Sequence, residues 1–330
     1  MKEFLNKNHR KGYIMEEKIS RRNFLNKSAV GIGLIGIEAK CNLDESVSPQ
    51  MSKEIPKRKL GRTERMVTCL GFGGGSRFTG IPYEGDAERL IDHAVQLGIT
   101  YFDAARSYGG GITEKRYGRY LTPKYRKQIF LNSKTEKRTY DGVMEEIDIS
   151  LKTLNTDYLD LYCMHGIDNM DQVNTLLSPT GGYKAFLKLK EDKVVQNIGF
   201  SFHVWNEASQ TAFKEFDIDA VLCAINASRD SGCEENLIPL AAARNVGVIA
   251  IKTTAQNALV GLGGVTGKDL VRYAISLPIA VANVGMEGLG SLESCVDIAK
   301  EPLISKQEQD RIFKQLGYDP KIHKLPYFHG

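Results

Sequence analysis

Eight short apolar runs punctuate the chain, at residues 69–73, 99–104, 129–132, 158–164, 194–200, 220–224, 247–251 and 279–284. Segments with apolar residues at helical spacing fall between and after them. In 86–97, Ala87, Leu90, Ile91, Ala94 and Val95 share one face. Similar segments are 113–120, 141–154, 183–191, 205–215, 234–244, 268–275 and 291–299. Short apolar runs alternating with helix-period segments predict parallel strands joined by crossover helices. Eight such repeats in roughly 260 residues predict an α/β fold of the (β/α)8 TIM-barrel type. Lys59-Leu-Gly-Arg-Thr63 and Met66-Val-Thr68, ahead of the first run, predict a short N-terminal β-hairpin. Gly98 and Gly247 come just after helical segments, where C-cap glycines belong. A doubly wound open sheet would want a Gly-x-Gly-x-x-Gly turn opening the first helix. Gly71-Phe-Gly-Gly-Gly75 is glycine-rich, but Asp86 lies fifteen residues beyond Gly71, so it fails as that fingerprint.

Several runs finish on a polar residue. Asp103 ends Ile99-Thr-Tyr-Phe, Lys134 follows Ile129-Phe-Leu by two residues, and His165 follows Tyr158-Leu-Asp-Leu-Tyr-Cys-Met. A barrel delivers residues after successive strands to one face, where its chemistry sits. Asp103, Tyr108, Lys134 and His165 can therefore converge. A lysine ammonium lowers the pKa of a neighbouring tyrosine from about 10, Asp103 can hold that lysine charged, and His165 can donate to a substrate oxygen. Such a set moves a proton at a carbonyl or alcohol oxygen. The carbon still needs a hydride, which side chains do not supply and a nicotinamide cofactor does.

Phe102-Asp103-Ala-Ala-x-x-Tyr108-Gly, the Lys134 strand, Asp157-Tyr-Leu-Asp-Leu-Tyr-x-x-His165-Gly and Ile198-Gly-Phe-Ser201-x-His203 together resemble the aldo-keto reductase family, over about residues 58–300. The resemblance implies reduction of an aldehyde or ketone, or oxidation of the alcohol, with NAD(P)H. It makes Tyr108 the general acid/base, Asp103 and Lys134 its tuners, and His165 the orienter of the carbonyl. It places cofactor contacts at Gly74, Ser201, Lys252, Thr253, Gly285, Glu287 and Glu293. Two positions depart from the family pattern. Ile225-Asn-Ala-Ser228 lacks the usual stacking aromatic, and Cys295 stands where an adenine-reading asparagine is common. An acidic Glu287, with no Lys or Arg between Arg272 and Lys300, implies that NAD(H) is bound at least as well as NADP(H). The alternative is a non-catalytic, cofactor-sensing or partner-binding subunit on the same barrel.

Charge divides the chain. The net charge is +4, but residues 1–41 carry nine Lys/Arg against four Asp/Glu, which leaves the remainder at −1. A near-neutral body gives no footprint for nucleic acid, and no run of about 18 apolar residues predicts a membrane span. Ser20-Arg-Arg-Asn-Phe-Leu-Asn-Lys27, followed by a mildly apolar stretch to Ile37, resembles a twin-arginine export signal. That resemblance implies the twin-arginine export machinery as a partner and a periplasmic or otherwise exported location. The expected organisation is a signal over 1–41, a linker over 42–57, the barrel over 58–300 and a C-terminal extension over 301–330. The six cysteines include no C-x-x-C pair, and no metal site is expected. His93 falls on the polar side of its helix, and His203 reads as a cap or loop residue.

Overall fold

The computed structural model describes residues 51–317. Strands β1 (Lys57–Lys59) and β2 (Met66–Thr68) pair antiparallel, Lys57 opposite Thr68. Then follow β3 (Leu70–Gly73), β4 (Tyr101–Asp103), β5 (Phe130–Thr135), β6 (Leu161–Met164), β7 (Ile198–Phe202), β8 (Ala220–Ala224), β9 (Gly247–Ile251) and β10 (Val281–Gly285). These eight strands are parallel, each bonded to the next, and β10 returns to β3 to close the barrel. The predicted (β/α)8 fold and hairpin are both present.

Alternation along the strands sorts the side chains into two cores. Tyr101, Phe130, Leu161, Cys163, Leu222, Ile249 and Val281 pack together inside the barrel, with Leu60 and Val67 of the hairpin beneath them. Phe72, Phe102, Leu131, Tyr162, Phe200, Val221, Val248 and Ala282 belong to the larger cluster shared with the helices. Leu60 and Val67 are fully buried, so the hairpin seals the N-terminal end of the barrel. Each such apolar side chain contributes about 1.5–3 kcal/mol.

The helices follow their apolar stripes. Glu84–Gln96 buries Ala87, Leu90, Ile91 and Ala94, with Glu84 and Asp86 in its first turn, where the helix dipole favours acids. Gly98 follows it in the left-handed region, at φ +93°. Gly247 is not a cap. The helix Cys233–Ala243 ends at Arg244, and Asn245 takes the left-handed position with φ +52°. Gly247 instead opens β9, where a Cβ would stand 2.5 Å from a methyl of Leu60. The hairpin lies too close for a side chain.

Helix 113–120 is interrupted: an α-helical turn over Ile112–Arg116 passes into a wider turn over Tyr117–Leu121. Among the described residues, two helices of eight residues or more have no counterpart in the sequence reading, Met170–Leu177 and Lys306–Leu316. The second belongs to the expected C-terminal extension and is docked on the barrel. Ile312 and Leu316 are buried, and Arg229 donates to Asp310 at 2.7 Å. Packed chain also begins ahead of residue 58. Ile55 is buried, and the Ser52 N–H donates to the Lys300 carbonyl at 2.8 Å. The twin-arginine stretch, residues 42–50 of the expected linker, and 318–330 lie outside the described residues. Among the described residues no helix is long and apolar enough to cross a membrane.

Candidate active site

Period-two alternation places the polar rim. Tyr101 points into the barrel, and so does Asp103 two residues on. Phe130 points in, hence Asn132 and Lys134. Leu161 and Cys163 point in, and His165 continues their row. Register then sets the neighbours side by side, Asp103 opposite Asn132 and Lys134 opposite Cys163. The outward residue between Asn132 and Lys134 is Ser133, which donates to the buried Glu114 at 2.7 Å.

Lys134 and Asp103 are each 1% exposed, with Lys134 Nζ 2.7 Å from Asp103 Oδ1. The ammonium also donates to the Ala104 carbonyl at 2.7 Å and to the Tyr108 hydroxyl at 3.1 Å. Asn132 Nδ2 adds a second bond to Asp103 Oδ1 at 2.7 Å. Tyr108 donates to Asp103 Oδ2 at 3.3 Å. Burial opposes the lysine charge, but Asp103 and Tyr108 outweigh it and raise the Lys134 pKa above its ordinary value.

Tyr108 is not on a strand. It reaches Lys134 because the chain after β4 curls back on Gly109, Gly110 and Gly111, at φ +58°, +64° and +90°. Three successive left-handed residues are accessible to glycine without strain. The Tyr108 pKa is pushed up to about 12, first by burial and then by Asp103, with Lys134 pulling the other way. Lys134 acts in the expected direction, yet the sum lies above the ordinary tyrosine value. Tyr108 is therefore a hydroxyl, able to donate, throughout the neutral range.

His165 completes the set. Its ring meets the Tyr108 ring edge-on, centroids 5.6 Å apart, and its backbone N–H donates to the Thr135 carbonyl at 2.9 Å. Burial holds its pKa below the usual histidine value. Two neighbours absent from the sequence reading touch Nδ1: Ser107 Oγ at 3.2 Å and Glu136 Oε1 at 3.4 Å.

A cleft of about 380 Å³ opens over these residues and runs to the loops after β9 and β10. Asp103, Tyr108, His165, Lys252, Thr253 and Gly285 line it, together with Arg77, His203, Gln256 and Asn283. His203 sits in the loop after β7, as read, and lines the cleft from there. The cleft suits a nicotinamide dinucleotide. Burial lowers the Lys252 pKa, and among the described residues no carboxylate lies within ion-pair distance of it, so its ammonium is available to phosphate. Asn283 Oδ1 is buried without a hydrogen-bond partner among the described residues, an acceptor suited to an amide or hydroxyl. Gly75 lines the same cleft, and a Cβ there would meet nothing within 4 Å. Lys252, Ala255, Gln256 and Asn257 all have positive φ, from +48° to +72°. Such a run of non-glycine residues is costly and marks a loop held to a shape.

The other expected cofactor residues do not line the cleft. Gly74 is packed against the strand end, its N–H donating to the Asp103 carbonyl at 3.0 Å. Ser201 continues the inward row of β7, and its hydroxyl accepts from the Gly166 N–H at 3.0 Å. Glu287 pairs with Arg77 at 2.8 Å on the surface, and Arg77 Nη2 also reaches the Gln256 carbonyl at 3.4 Å. Glu293 pairs with His93 at 2.9 Å. His93, on the polar side of its helix as read, is 30% exposed there.

The model of the aldo/keto reductase family matches residues 69–264. Curated relatives include pyridoxal 4-dehydrogenase of Microbacterium luteolum, 27% identical over 60% of this chain and 70% of that protein. L-galactose dehydrogenase of Arabidopsis thaliana is 28% identical over 64% and 69%. Among solved structures, the holo form of an aldo-keto reductase from Bacillus halodurans superposes with a TM-score of 0.65 at 22% identity, over 81% of this chain and 96% of that one. An aldo-keto reductase from Klebsiella pneumoniae in complex with NADPH gives 0.65 at 19% identity, over 83% and 97%. At these identities the superpositions speak for the fold alone. The family match spans more than half of the sequence and takes in the β4, β5 and β6 residues that build the site, so the chain belongs to the aldo/keto reductase family.

Proposed function

We propose that this protein reduces an aldehyde or ketone, or oxidises the corresponding alcohol, with a nicotinamide cofactor. One observation carries the reading: a tyrosine hydroxyl lies 3.1 Å from a lysine ammonium that a buried aspartate holds at 2.7 Å. Lys252, Thr253 and Asn283 are the residues that would hold the cofactor, which when bound supplies or accepts the hydride. Tyr108 carries the proton. Its hydroxyl donates to a carbonyl oxygen, and the phenolate left behind is stabilised by Lys134, itself kept protonated by Asp103. In the reverse direction the phenolate takes the alcohol proton back. The test is reduction of a panel of aldehydes with NADH and NADPH. No oxidation of either cofactor by any aldehyde, with the protein folded, would remove the reading.

NAD(H) is bound at least as well as NADP(H). A 2′-phosphate needs an available cation; Lys252 is taken here by the pyrophosphate, Arg77 is already paired with Glu287, and a carboxylate accepts hydrogen bonds from a ribose 2′-hydroxyl. Fluorescence titration with both reduced cofactors measures the preference, and tenfold tighter NADPH would reverse it.

Arg21 and Arg22 ahead of a mild apolar stretch support export through the twin-arginine pathway to the periplasm. Because that pathway moves folded proteins, a cofactor loaded before export could travel with the protein. Replacing both arginines by lysine should hold the protein in the cytoplasm, and unchanged periplasmic yield would end this part of the proposal.

A further inference from the structure

His165 stands between two hollows. It lines the cofactor cleft, and it also lines a second hollow of about 390 Å³ with Glu136, Arg138, Gly166, Asp168 and Gln172. His203 of the cleft lies 3.6 Å from Asp168 of the second hollow, so the two adjoin along this edge. With the Tyr108 and His165 rings 5.6 Å apart, a carbonyl held at Tyr108 has the hollow within reach of the rest of its molecule. Among the described residues no purely hydrocarbon side chain lines it. Glu136 and Asp168, 62% and 34% exposed, supply acceptors. Arg138 is fixed by its bonds to the carbonyls of Thr135, His165 and Gly166. Gln172 spends its oxygen on the Asp168 and Asn169 N–H groups, at 2.7 and 3.2 Å, which leaves its NH2 to donate. Acceptors and donors thus stand side by side, as a chain of hydroxyls requires, since each hydroxyl gives one hydrogen bond and accepts others. Other substrate classes fit worse. An alkyl or aryl chain would strip water from two carboxylates and replace none of its hydrogen bonds. An anionic substrate would meet Glu136, which is ionised at neutral pH because the neighbouring His165 holds its carboxyl down at about 2. A cationic one would meet the Arg138 guanidinium, already in the field of both acids.

We infer that the substrate is an uncharged, polyhydroxylated open-chain aldehyde of the aldose type, whose hydroxyl chain lies in the hollow beside His165 against Glu136, Asp168 and Gln172. The carbonyl end stays at Tyr108. Its carbon gains the hydride, its oxygen gains the Tyr108 proton, the cofactor is oxidised, and the aldose leaves as its alditol. Glu136 and Asp168 are then specificity-determining residues, since they accept from hydroxyls and take no part in the proton transfer. That the hydroxyl chain belongs to a reacting aldehyde rests on the function proposed above; the affinity of the hollow for hydroxyls does not.

The test compares erythrose with butanal, which has the same number of carbons and no hydroxyls, and with succinic semialdehyde, which adds a carboxylate. Each is reduced by the full-length protein with NADH and by its Glu136→Leu and Asp168→Ala variants. Glu136 is solvent-exposed, so its variant should fold. The ratio of kcat/KM for erythrose to that for butanal should fall about tenfold in Glu136→Leu, the worth of a hydrogen bond to a charged group, with the change in KM. Asp168→Ala should lower it in the same direction. Any loss that comes from the contact of Glu136 with His165 affects both aldehydes and cancels in the ratio. A ratio unchanged in both variants overturns the inference, as does a wild-type preference for succinic semialdehyde over erythrose. Saturation-transfer NMR with erythritol and 1-butanol forms the second arm and needs no turnover. Erythritol should receive saturation from the wild type and lose it in Glu136→Leu, and 1-butanol should receive less. Erythritol binding that depends on Glu136, with no aldehyde reduced, would strike the proposed function and leave the hydroxyl site standing. Erythritol binding that is absent, or indifferent to Glu136, overturns the site itself.

Discussion

The two ends of the cleft are built differently. At the β4–β5–β6 end, Asp103 and Lys134 grow from the barrel wall, and the ion pair they form is 1% exposed on both sides. Beyond the β10 end the residues expected to meet the cofactor stand on a loop or on helices outside the barrel wall and pair in solvent: Arg77 with Glu287 at 38% and 58% exposure, His93 with Glu293 at 30% and 56%. A buried pair cannot lose one member without stranding the other charge, which costs about 3–5 kcal/mol. An exposed pair contributes about 0–1 kcal/mol. The wall end is therefore rigid and intolerant of substitution, while the loop end can change its preference without cost to the fold.

Lys134→Met is the severest test of that contrast. It leaves Asp103 buried with Asn132 and Tyr108 but no cation, and should cost about 3–5 kcal/mol of stability by denaturant titration as well as most of the activity. Wild-type stability would show that the wall end is as forgiving as the loops. Tyr108→Phe comes next. It keeps the ring and loses the hydroxyl, so turnover should fall by about 10²-fold or more while stability shifts by about 1 kcal/mol. The pH profile sharpens the same point. With the Tyr108 pKa pushed up to about 12, its proton-donating form persists below that value, so reduction should show no tyrosine-governed fall through neutral pH. A fall centred near pH 7 that vanishes in Tyr108→Phe would contradict it.

Smaller effects lie at the loop end. Glu287→Arg should move the binding ratio toward NADPH by about tenfold with the melting temperature unchanged, since only an exposed pair is altered. A ratio that stays put would mean that another residue reads the ribose. Glu293→Ala should be the mildest, within about 0.5 kcal/mol in stability.

The wall end was legible in the sequence for a physical reason. Strand alternation carries a fixed period, so Tyr101-x-Asp103 and Phe130-x-Asn132-x-Lys134 declare which side chains share the barrel interior. The loop end carries no period. Arg77 and Glu287 lie 210 residues apart, and only closure of β10 onto β3 brings them together. Glu136 and Ser107 were missed for a related reason, since each sits just beyond a strand or in a turn, where spacing says nothing of direction. The misread Gly247 teaches the same lesson: its reason is Leu60 in a distant hairpin. The helix Met170–Leu177 was missed because it is short. It buries Val173 and Leu176 and begins with an Asn169 capping box, a signal that a closer reading of the polar residues would have found.

The hairpin beneath the barrel also decides which way the molecule can be held. Leu60 and Val67 close the end away from the cleft, and the chain arrives there, its Ser52 N–H bonded to the end of the helix Leu289–Lys300. An attachment made just ahead of residue 51 would therefore hold the barrel by its sealed base and present the mouth outward. A surface, bead or fusion partner joined at that point should leave small molecules unhindered, while the same load placed on the loops after β9 or β10 would stand across their path.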